Sequence, residues 1–266
     1  MKGRVLIVAG SDSGGGAGIQ ADIKAVSALN GYAATAITAL TAQNTTGVYG
    51  IFPVDPAFVA QQMRVVLEDI GADAIKVGML ASAAVIEAVA GEYEERAINI
   101  PLVVDPVMIA KGGHALLESE AELTLKKRLL PLADLVTPNV PEAEALADIE
   151  IRDLADMRRA AQLIRTFGPK AVLLKGGHME GELVQDLLVT EDSEEVFESP
   201  RVHTPHTHGT GCTLASAIAT GLAQGLGGRD AVARARAYLM QAILTAPGIG
   251  HGHGPLNHLH TVRPFP

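Results

Sequence analysis

The chain has no tryptophan, 3% aromatic residues and one cysteine among 266 residues. With so few rings, the core must be assembled from Ala, Val, Leu and Ile, which suits strands and helices packed in layers. A lone cysteine excludes an internal disulfide and a thiolate zinc site. No apolar run approaches the ~20 residues of a membrane span, because Gly, Thr, Asp or Lys interrupts each one. Met1-Lys2-Gly3-Arg4 leads directly into a strand-like run, without the apolar region and cleavage site of a signal peptide. The expectation is a soluble, cytoplasmic protein with no membrane partner. Basic stretches are also scarce: the net charge is −9, and Lys126-Lys127-Arg128 sits where it complements a helix C-terminus. Such a surface repels nucleic acid, so any phosphate must be held by a local site.

What is present is 48% hydrophobic, enough for a sizeable core, and it reads as one domain over residues 1–266. Val5-Leu6-Ile7-Val8-Ala9 has the pattern of a strand buried on both faces, and a helix from about Ile19 to Leu29 follows the Gly-rich turn. The alternation continues with strands at 33–40, 74–77, 102–105, 134–136 and 171–174. Helices open at Asp55-Pro56 and at Ser82 and run over about 118–129 and 153–166. Residues 183–190 and 195–200 read as an antiparallel pair, and two helices, about 211–225 and 229–245, close the chain before a Gly/His-rich loop. This order predicts an α/β fold in three layers, a mostly parallel central sheet with helices on both faces.

Ligands of such sheets gather outside the carboxyl ends of the strands. The polar residues there are Asp12, Gln43, Lys76 with Met79, Asp105, Asn139 with Glu142, Lys175, and the turn Gly209-Thr210-Gly211-Cys212. In that turn, two glycines let several N–H groups converge where a helix begins, at the positive end of its dipole, which suits an anion. Among these, the carboxylates Asp105 and Glu142, Lys175, a phosphate-sized nest and a thiol form the inventory of phosphoryl transfer. Rival chemistries fit less well. There is no Gly-Lys dipeptide for a Walker A loop and no His-Glu-x-x-His helix, so the His206/His208 pair and the tail histidines read as structural. Gly16-Ala17-Gly18-Ile19-Gln20-Ala21 fits a dinucleotide fingerprint. However, that motif needs an acid after the next strand, and none lies between Asp22 and Asp55. A dinucleotide-dependent oxidoreductase is therefore a distant alternative. A purely phosphate-binding protein would not need the two acids.

The segments Ala9 to Asp22, Thr41 to Thr45, Lys76 to Leu80, Val104 to Met108, Thr137 to Asn139, Leu174 to His178 and His206 to Thr213 resemble, in this order, the hydroxymethylpyrimidine/phosphomethylpyrimidine kinases of thiamine biosynthesis. The resemblance extends to Gly252 to His258 and implies a ribokinase-like fold, ATP with Mg²⁺, and a homodimer. It also implies successive phosphorylation of 4-amino-5-hydroxymethyl-2-methylpyrimidine and of its monophosphate. A pyridoxal kinase of the same fold would carry much the same turn and is the near alternative.

The resemblance places Cys212 where the wider superfamily has an aspartate base. A thiol at a helix N-terminus is expected to fall from a pKa of ~8.5 into the range ~3.5–7.5, where it can accept the substrate's hydroxyl proton. Truncating it is then expected to slow the first phosphorylation more than the second. Gly209, Thr210, Gly211 and Cys212 are expected to receive the transferring phosphoryl group through backbone N–H donors. Lys175 is expected to neutralise its oxygens, with Asp105 and Glu142 holding Mg²⁺ and Asn139 orienting that shell. Gln43 carries the amide donor and acceptor suited to an aminopyrimidine edge. By resemblance, Gly10, Ala17, Asp22, Met79 and Val107 line the same pocket, with Pro106 to His114 as a flap.

Overall fold

The apolar run of the first strand faces two cores at once. In β1 (Arg4–Asp12) Leu6 and Val8 enter one hydrophobic cluster while Val5, Ile7 and Ala9 enter another, because successive side chains on a strand point to opposite faces. The computed structural model describes residues 2–108 and 119–262. The elements that follow are α1 (Gly18–Ala28), β2 (Tyr32–Asn44), β3 (Gly47–Pro53), α2 (Pro56–Asp69), β4 (Ala74–Val77), α3 (Ala83–Arg96), β5 (Leu102–Val104) and α4 (Ser119–Thr124). Then come β6 (Leu135–Val136), α5 (Val140–Ala147), α6 (Leu154–Arg165), β7 (Ala171–Leu174), β8 (Leu183–Val189), β9 (Glu194–Pro200), α7 (Thr210–Ala223) and α8 (Gly228–Leu244).

All nine strands form one sheet in the order β3-β2-β1-β4-β5-β6-β7-β8-β9. β2, β1, β4, β5, β6 and β7 are parallel, and β3 and β8 pair antiparallel with their neighbours. The expected three layers are present. Side chains of α2, α3, α5 and α6 pack with Leu6, Ile75, Leu102 and Val172 on one face, and those of α1, α7 and α8 pack with Ile7, Val103 and Leu173 on the other. Leu6 is wholly buried, and its truncation to Ala costs about 2–5 kcal/mol. β1 has β2 on one side and β4 on the other; α1, which leads from β1 to β2, packs on one face, and α3, which leads from β4 to β5, packs on the other. This opens a crevice at the carboxyl ends of β1 and β4.

Helix starts follow their caps. Asp55 accepts from the Ala57 and Phe58 N–H groups ahead of α2 with Pro56 in its first turn, and Asp153 accepts from Asp156 N–H ahead of α6. Three local features differ from the sequence reading. The second strand extends to Asn44 and turns back as β3, and Val140–Ala147 is helical. The helix expected over 118–129 is α only to Thr124 and then widens into a π turn at Leu125–Leu129, before Pro131. Its first residue, Glu118, and most of the expected flap, including Lys111-Gly112-Gly113, lie outside the described residues.

Candidate active site

The carboxyl ends of the parallel strands enclose a cavity of about 350 Å³. Gly10 comes to its wall from the end of β1, Ala17 from the β1–α1 connection, Gln43 from the end of β2 and Met79 from beyond β4. Asp105 and Val107 follow β5, Asn139 and Glu142 open α5, and Lys175 follows β7. The turn Gly209, Thr210, Gly211 and Cys212 closes the ring. A Cβ on Gly10 would lie 3.0 Å from Met79 Sδ, so a larger residue there would displace the Met79 side chain.

The anion turn depends on close backbone packing. Gly209 has φ +82°, and a Cβ on it would stand 1.9 Å from Gly16 O, so no other residue fits. α7 has no side-chain cap, and its first ladder bond is Thr213 N–H to Gly209 O at 2.9 Å. The N–H groups of Thr210, Gly211 and Cys212 precede that bond, the position from which helices bind anions. α5 behaves differently: Asn139 Oδ1 accepts from Glu142 N–H at 2.9 Å and Glu142 Oε2 accepts from Asn139 N–H at 2.8 Å, a closed capping box. Of these two helix starts, α7 is the open one.

Beside the turn, Lys175 Nζ lies 2.9 Å from Asp105 Oδ1, which also accepts from Thr137 Oγ1 at 3.0 Å. A Cβ on Gly211 would be 3.3 Å from both Asp105 Oδ2 and Lys175 Nζ, so the helix start abuts this ion pair. Burial favours the neutral form of Asp105, but Lys175 and Lys76 outweigh it and hold the carboxyl below the ordinary range. Glu142 is pushed the other way, up to about 7, by burial and the neighbouring Asp105 charge against the pull of Lys175. Among the described residues no three His, Cys, Asp or Glu side chains converge as a metal cluster. Two carboxylates, each with one oxygen already engaged, do fit Mg²⁺, which keeps several waters and takes one or two carboxylates plus phosphate oxygens.

Asp22 is the one expected pocket residue that the structure places elsewhere. It is fully buried under the cavity, with its two carboxylate oxygens 3.0 and 2.9 Å from Lys76 Nζ and one of them accepting from Ser216 Oγ at 2.7 Å. A carboxylate so occupied anchors Lys76, which does reach the cavity. The expectation of a low thiol pKa also fails. Cys212 is half-buried, and desolvation, with Asp22 and Asp105 nearby, pushes its thiol up to about 12 despite the opposing Lys76. At neutral pH it is a thiol.

A second set of contacts ties the front loops together. Asp12 accepts from Gly14, Gly16 and Ala17 N–H and lies 2.9 Å from His208 Nε2. Gln43 sits between His208 Nε2 at 3.3 Å and Thr41 Oγ1 at 3.2 Å. Further down α7, Thr213 Oγ1 meets His258 Nε2 at 2.9 Å, which fastens the C-terminal segment under the helix start. Sequence reading assigned no role to Thr137 or Ser216, and it read His208 and His258 as structural without finding their partners. Thr137 follows a strand as directly as Asp105 does, and Ser216 is a polar position one helical turn after Cys212 in an apolar run. Those were usable signals. The partnership of His208 with Asp12 spans 196 residues and has no local signature.

The family model described as phosphomethylpyrimidine kinase matches residues 12–257. The chain is 53% identical over 261 residues to the thiamine biosynthesis bifunctional protein ThiED of Geobacter sulfurreducens, covering 97% of this chain and 52% of that protein. It thus spans about half the length of that relative. It is 47% identical to the hydroxymethylpyrimidine/phosphomethylpyrimidine kinase of Streptomyces coelicolor, over 96% of this chain and 93% of the other. Among solved structures, the phosphomethylpyrimidine kinase of Clostridium difficile 630 aligns with TM-score 0.81 and 43% identity, over 91% of this chain and 100% of that one. The Staphylococcus aureus pyridoxal kinase in complex with AMP-PCP and pyridoxal aligns with TM-score 0.90 and 32% identity, over 99% and 96%. Backbone shape is thus nearer the pyridoxal kinase and sequence nearer the pyrimidine kinases. Side chains, which carry specificity, give the second likeness more weight.

Proposed function

The chain belongs to the phosphomethylpyrimidine kinase family, and from that premise we propose how it acts. It is a hydroxymethylpyrimidine and phosphomethylpyrimidine kinase of thiamine biosynthesis, transferring the γ-phosphoryl group of ATP first to 4-amino-5-hydroxymethyl-2-methylpyrimidine and then to its monophosphate. The observation that carries this reading is the open N-terminus of α7 set against the Lys175–Asp105 pair at one end of the cavity, with Gln43 and Met79 on its wall.

The pyrimidine lies against Met79, Val107, Gly10 and Ala17, its polar edge on the Gln43 amide. Its hydroxymethyl group points to the turn. The N–H groups of Gly209 to Cys212 receive the oxygens of the transferring group, where one such donor is worth ~10²–10³ in rate. Lys175, kept cationic by Asp105 and Glu142 against its burial, neutralises the same charge, and Thr210 and Asn139 orient the phosphate chain. Asp105 and Glu142 would hold Mg²⁺, which would supply neutralisation of phosphate charge. Phosphoryl transfer passes through a loose transition state in which positioning and electrostatics outweigh proton abstraction, so a neutral Cys212 thiol is compatible with turnover. Lys76, anchored by Asp22, which accepts from Ser216 in turn, keeps a positive charge beneath the thiol.

The enzyme works as one domain and as a homodimer. The dimer is supported by the edge strand β3, whose Tyr49 and Phe52 are 70% and 68% exposed beside Ile51. A cytoplasmic location agrees with the single cysteine, and no helix of the described residues is long and apolar enough to cross a membrane. The second reading, pyridoxal kinase, is favoured by the TM-score of 0.90 with the Staphylococcus aureus enzyme. Measuring ADP release with hydroxymethylpyrimidine, its monophosphate and pyridoxal in parallel tests the choice. The two pyrimidines are expected to be the efficient acceptors; turnover of pyridoxal alone would replace this reading by the second.

A further inference from the structure

Lys175 reaches the cavity from the end of β7, and two successive peptide groups give its side chain a direction. Its own N–H donates to Pro138 O at 2.8 Å, and the next one, that of Gly176, donates to Asp186 Oδ1 at 2.9 Å. Peptide groups are planar, so once those on both sides of a Cα are fixed, the direction of its Cβ is fixed as well. The side chain leaves along that direction and brings Nζ to 2.9 Å from Asp105 Oδ1, beside the anion turn.

Asp186 itself does not line the cavity. It stands on β8, buried, on the same face as Leu188, which packs in the core of α7 and α8. Its other oxygen accepts from Arg236 Nε of α8 at 2.7 Å, and the guanidinium lies over the Phe197 ring, 5.5 Å from the centroid. A staple between helix and sheet would not need this aim. Two apolar side chains would join α8 to β8 without taking two charges out of water. The carboxylate instead spans from Arg236 to the one backbone donor that directly follows Lys175. Gly176 makes the reach possible: a Cβ on it would stand 1.9 Å from Gln185 O, so β8 lies closer to the turn than any side chain would allow. Beyond Gly176 the connection is held separately, by the Arg201 guanidinium on the carbonyl oxygens of Gly177, Met179 and Gly181.

We propose that Asp186, aimed by Arg236, is a positioning residue for phosphoryl transfer, fixing the Lys175–Gly176 peptide and through it the place of the Lys175 ammonium. The inference rests on the kinase reading and deepens it. A misplacement of about 1 Å at a reacting group can cost ~10² in rate, so a contact outside the cavity can govern turnover. Arg236 matters in turn because it neutralises Asp186 and holds the carboxylate edge-on to the Gly176 N–H.

Two double variants separate aim from packing. Asp186→Asn with Arg236→Gln is a neutral copy: the Asn oxygen still accepts from Gly176 N–H, and the Asn nitrogen meets the Gln oxygen. Asp186→Leu with Arg236→Met fills the same space and leaves that N–H without its acceptor. Activity is read as ADP release with whichever acceptor the wild type turns over, so a change from pyrimidine to pyridoxal leaves the test intact. The neutral copy is expected to keep kcat within about threefold of wild type. The apolar pair is expected to lose about 100-fold in kcat, with the KM of the acceptor within about threefold. In a Lys175→Met background the apolar pair is expected to cost less than about threefold more, because residues acting through one group do not add. A loss that persists in full in that background, or that the neutral copy shares, would assign Asp186 to packing alone and overturn the proposal. Should the apolar pair fail to fold, Asp186→Glu keeps the charge and moves the carboxylate by one methylene. It is expected to lower kcat at least about tenfold, and an unchanged kcat overturns the proposal equally. A wild type that releases no ADP with any acceptor fails the functional reading instead. Calorimetry with ATP and Mg²⁺ then decides the inference: the apolar pair is expected to bind at least about fivefold more weakly than the wild type and the neutral copy, and equal affinity overturns it.

Discussion

Cys212 shows how far a residue's neighbours can reverse its textual promise. A lone thiol at a helix start suggests a lowered pKa, and the sequence reading expected a base. The structure puts that thiol over Asp22 and Asp105 in a desolvated floor, which pushes it up to about 12. ATP would add negative charge and push it the same way. Two predictions follow from a neutral thiol. Cys212→Ala is expected to slow the first and second phosphorylations alike, within about threefold of each other, because neither step uses a thiolate. In steady-state assays of each step, a loss confined to the first would restore the base. Alkylation of the ligand-free enzyme by iodoacetamide is expected to be slow at pH 7 and still accelerating above pH 9, whereas a rate already flat at pH 7 would contradict the raised pKa. Asp22 gives the same lesson. Its place in the β1–α1 segment was legible, but its pairing with Lys76 and Ser216 needs three elements brought together by the fold.

At the scale of elements, the strand–helix alternation was readable because parallel strands buried on both faces appear as continuous apolar runs, such as Val5 to Ala9 and Ala171 to Leu174. β3 was not readable: Tyr49, Ile51 and Phe52 lie among glycines on an edge with no buried alternation. α5 was hidden by its length of 8 residues and by Pro141, which reads as a breaker but occupies the first turn. The loop after α8 also conceals a fastening. His258 is 3% exposed against Thr213, and burial, with Lys24 and His260 adding, pushes its imidazole down to about 4. The folded protein therefore refuses a proton that the unfolded chain accepts below its ordinary 6.5. Stability falls as pH drops from about 6.5 to 4, by up to about 3 kcal/mol. Glu142, raised to about 7, acts oppositely: its contribution is full below its ordinary 4.5 and is lost as pH rises through 7. Urea unfolding of wild type and His258→Gln across pH 4–7 separates the two. The variant is expected to lack the extra acid loss, and parallel curves would contradict the buried neutral histidine.

For the whole molecule, the sheet has two edges, and the β3 edge combines unpaired backbone groups with exposed large apolar side chains, which a lone chain would leave open to association. Light scattering is expected to give twice the chain mass of 27.7 kDa, and Phe52→Glu with Ile51→Lys is expected to shift the protein toward one copy. A double variant that keeps the wild-type mass would move the interface elsewhere. The same architecture brings the ends of six parallel strands to one cavity, and on the proposed reading a single anion turn is expected to serve both phosphorylations, with the acceptor leaving or re-seating between them. Phosphorus NMR of wild-type enzyme with ATP, Mg²⁺ and hydroxymethylpyrimidine tests that claim most directly. The account predicts a phosphomonoester signal that rises first and then declines as the two coupled signals of the diphosphate ester replace it. A spectrum in which ATP is consumed with no pyrimidine ester, or in which added pyridoxal alone acquires phosphate, would contradict it.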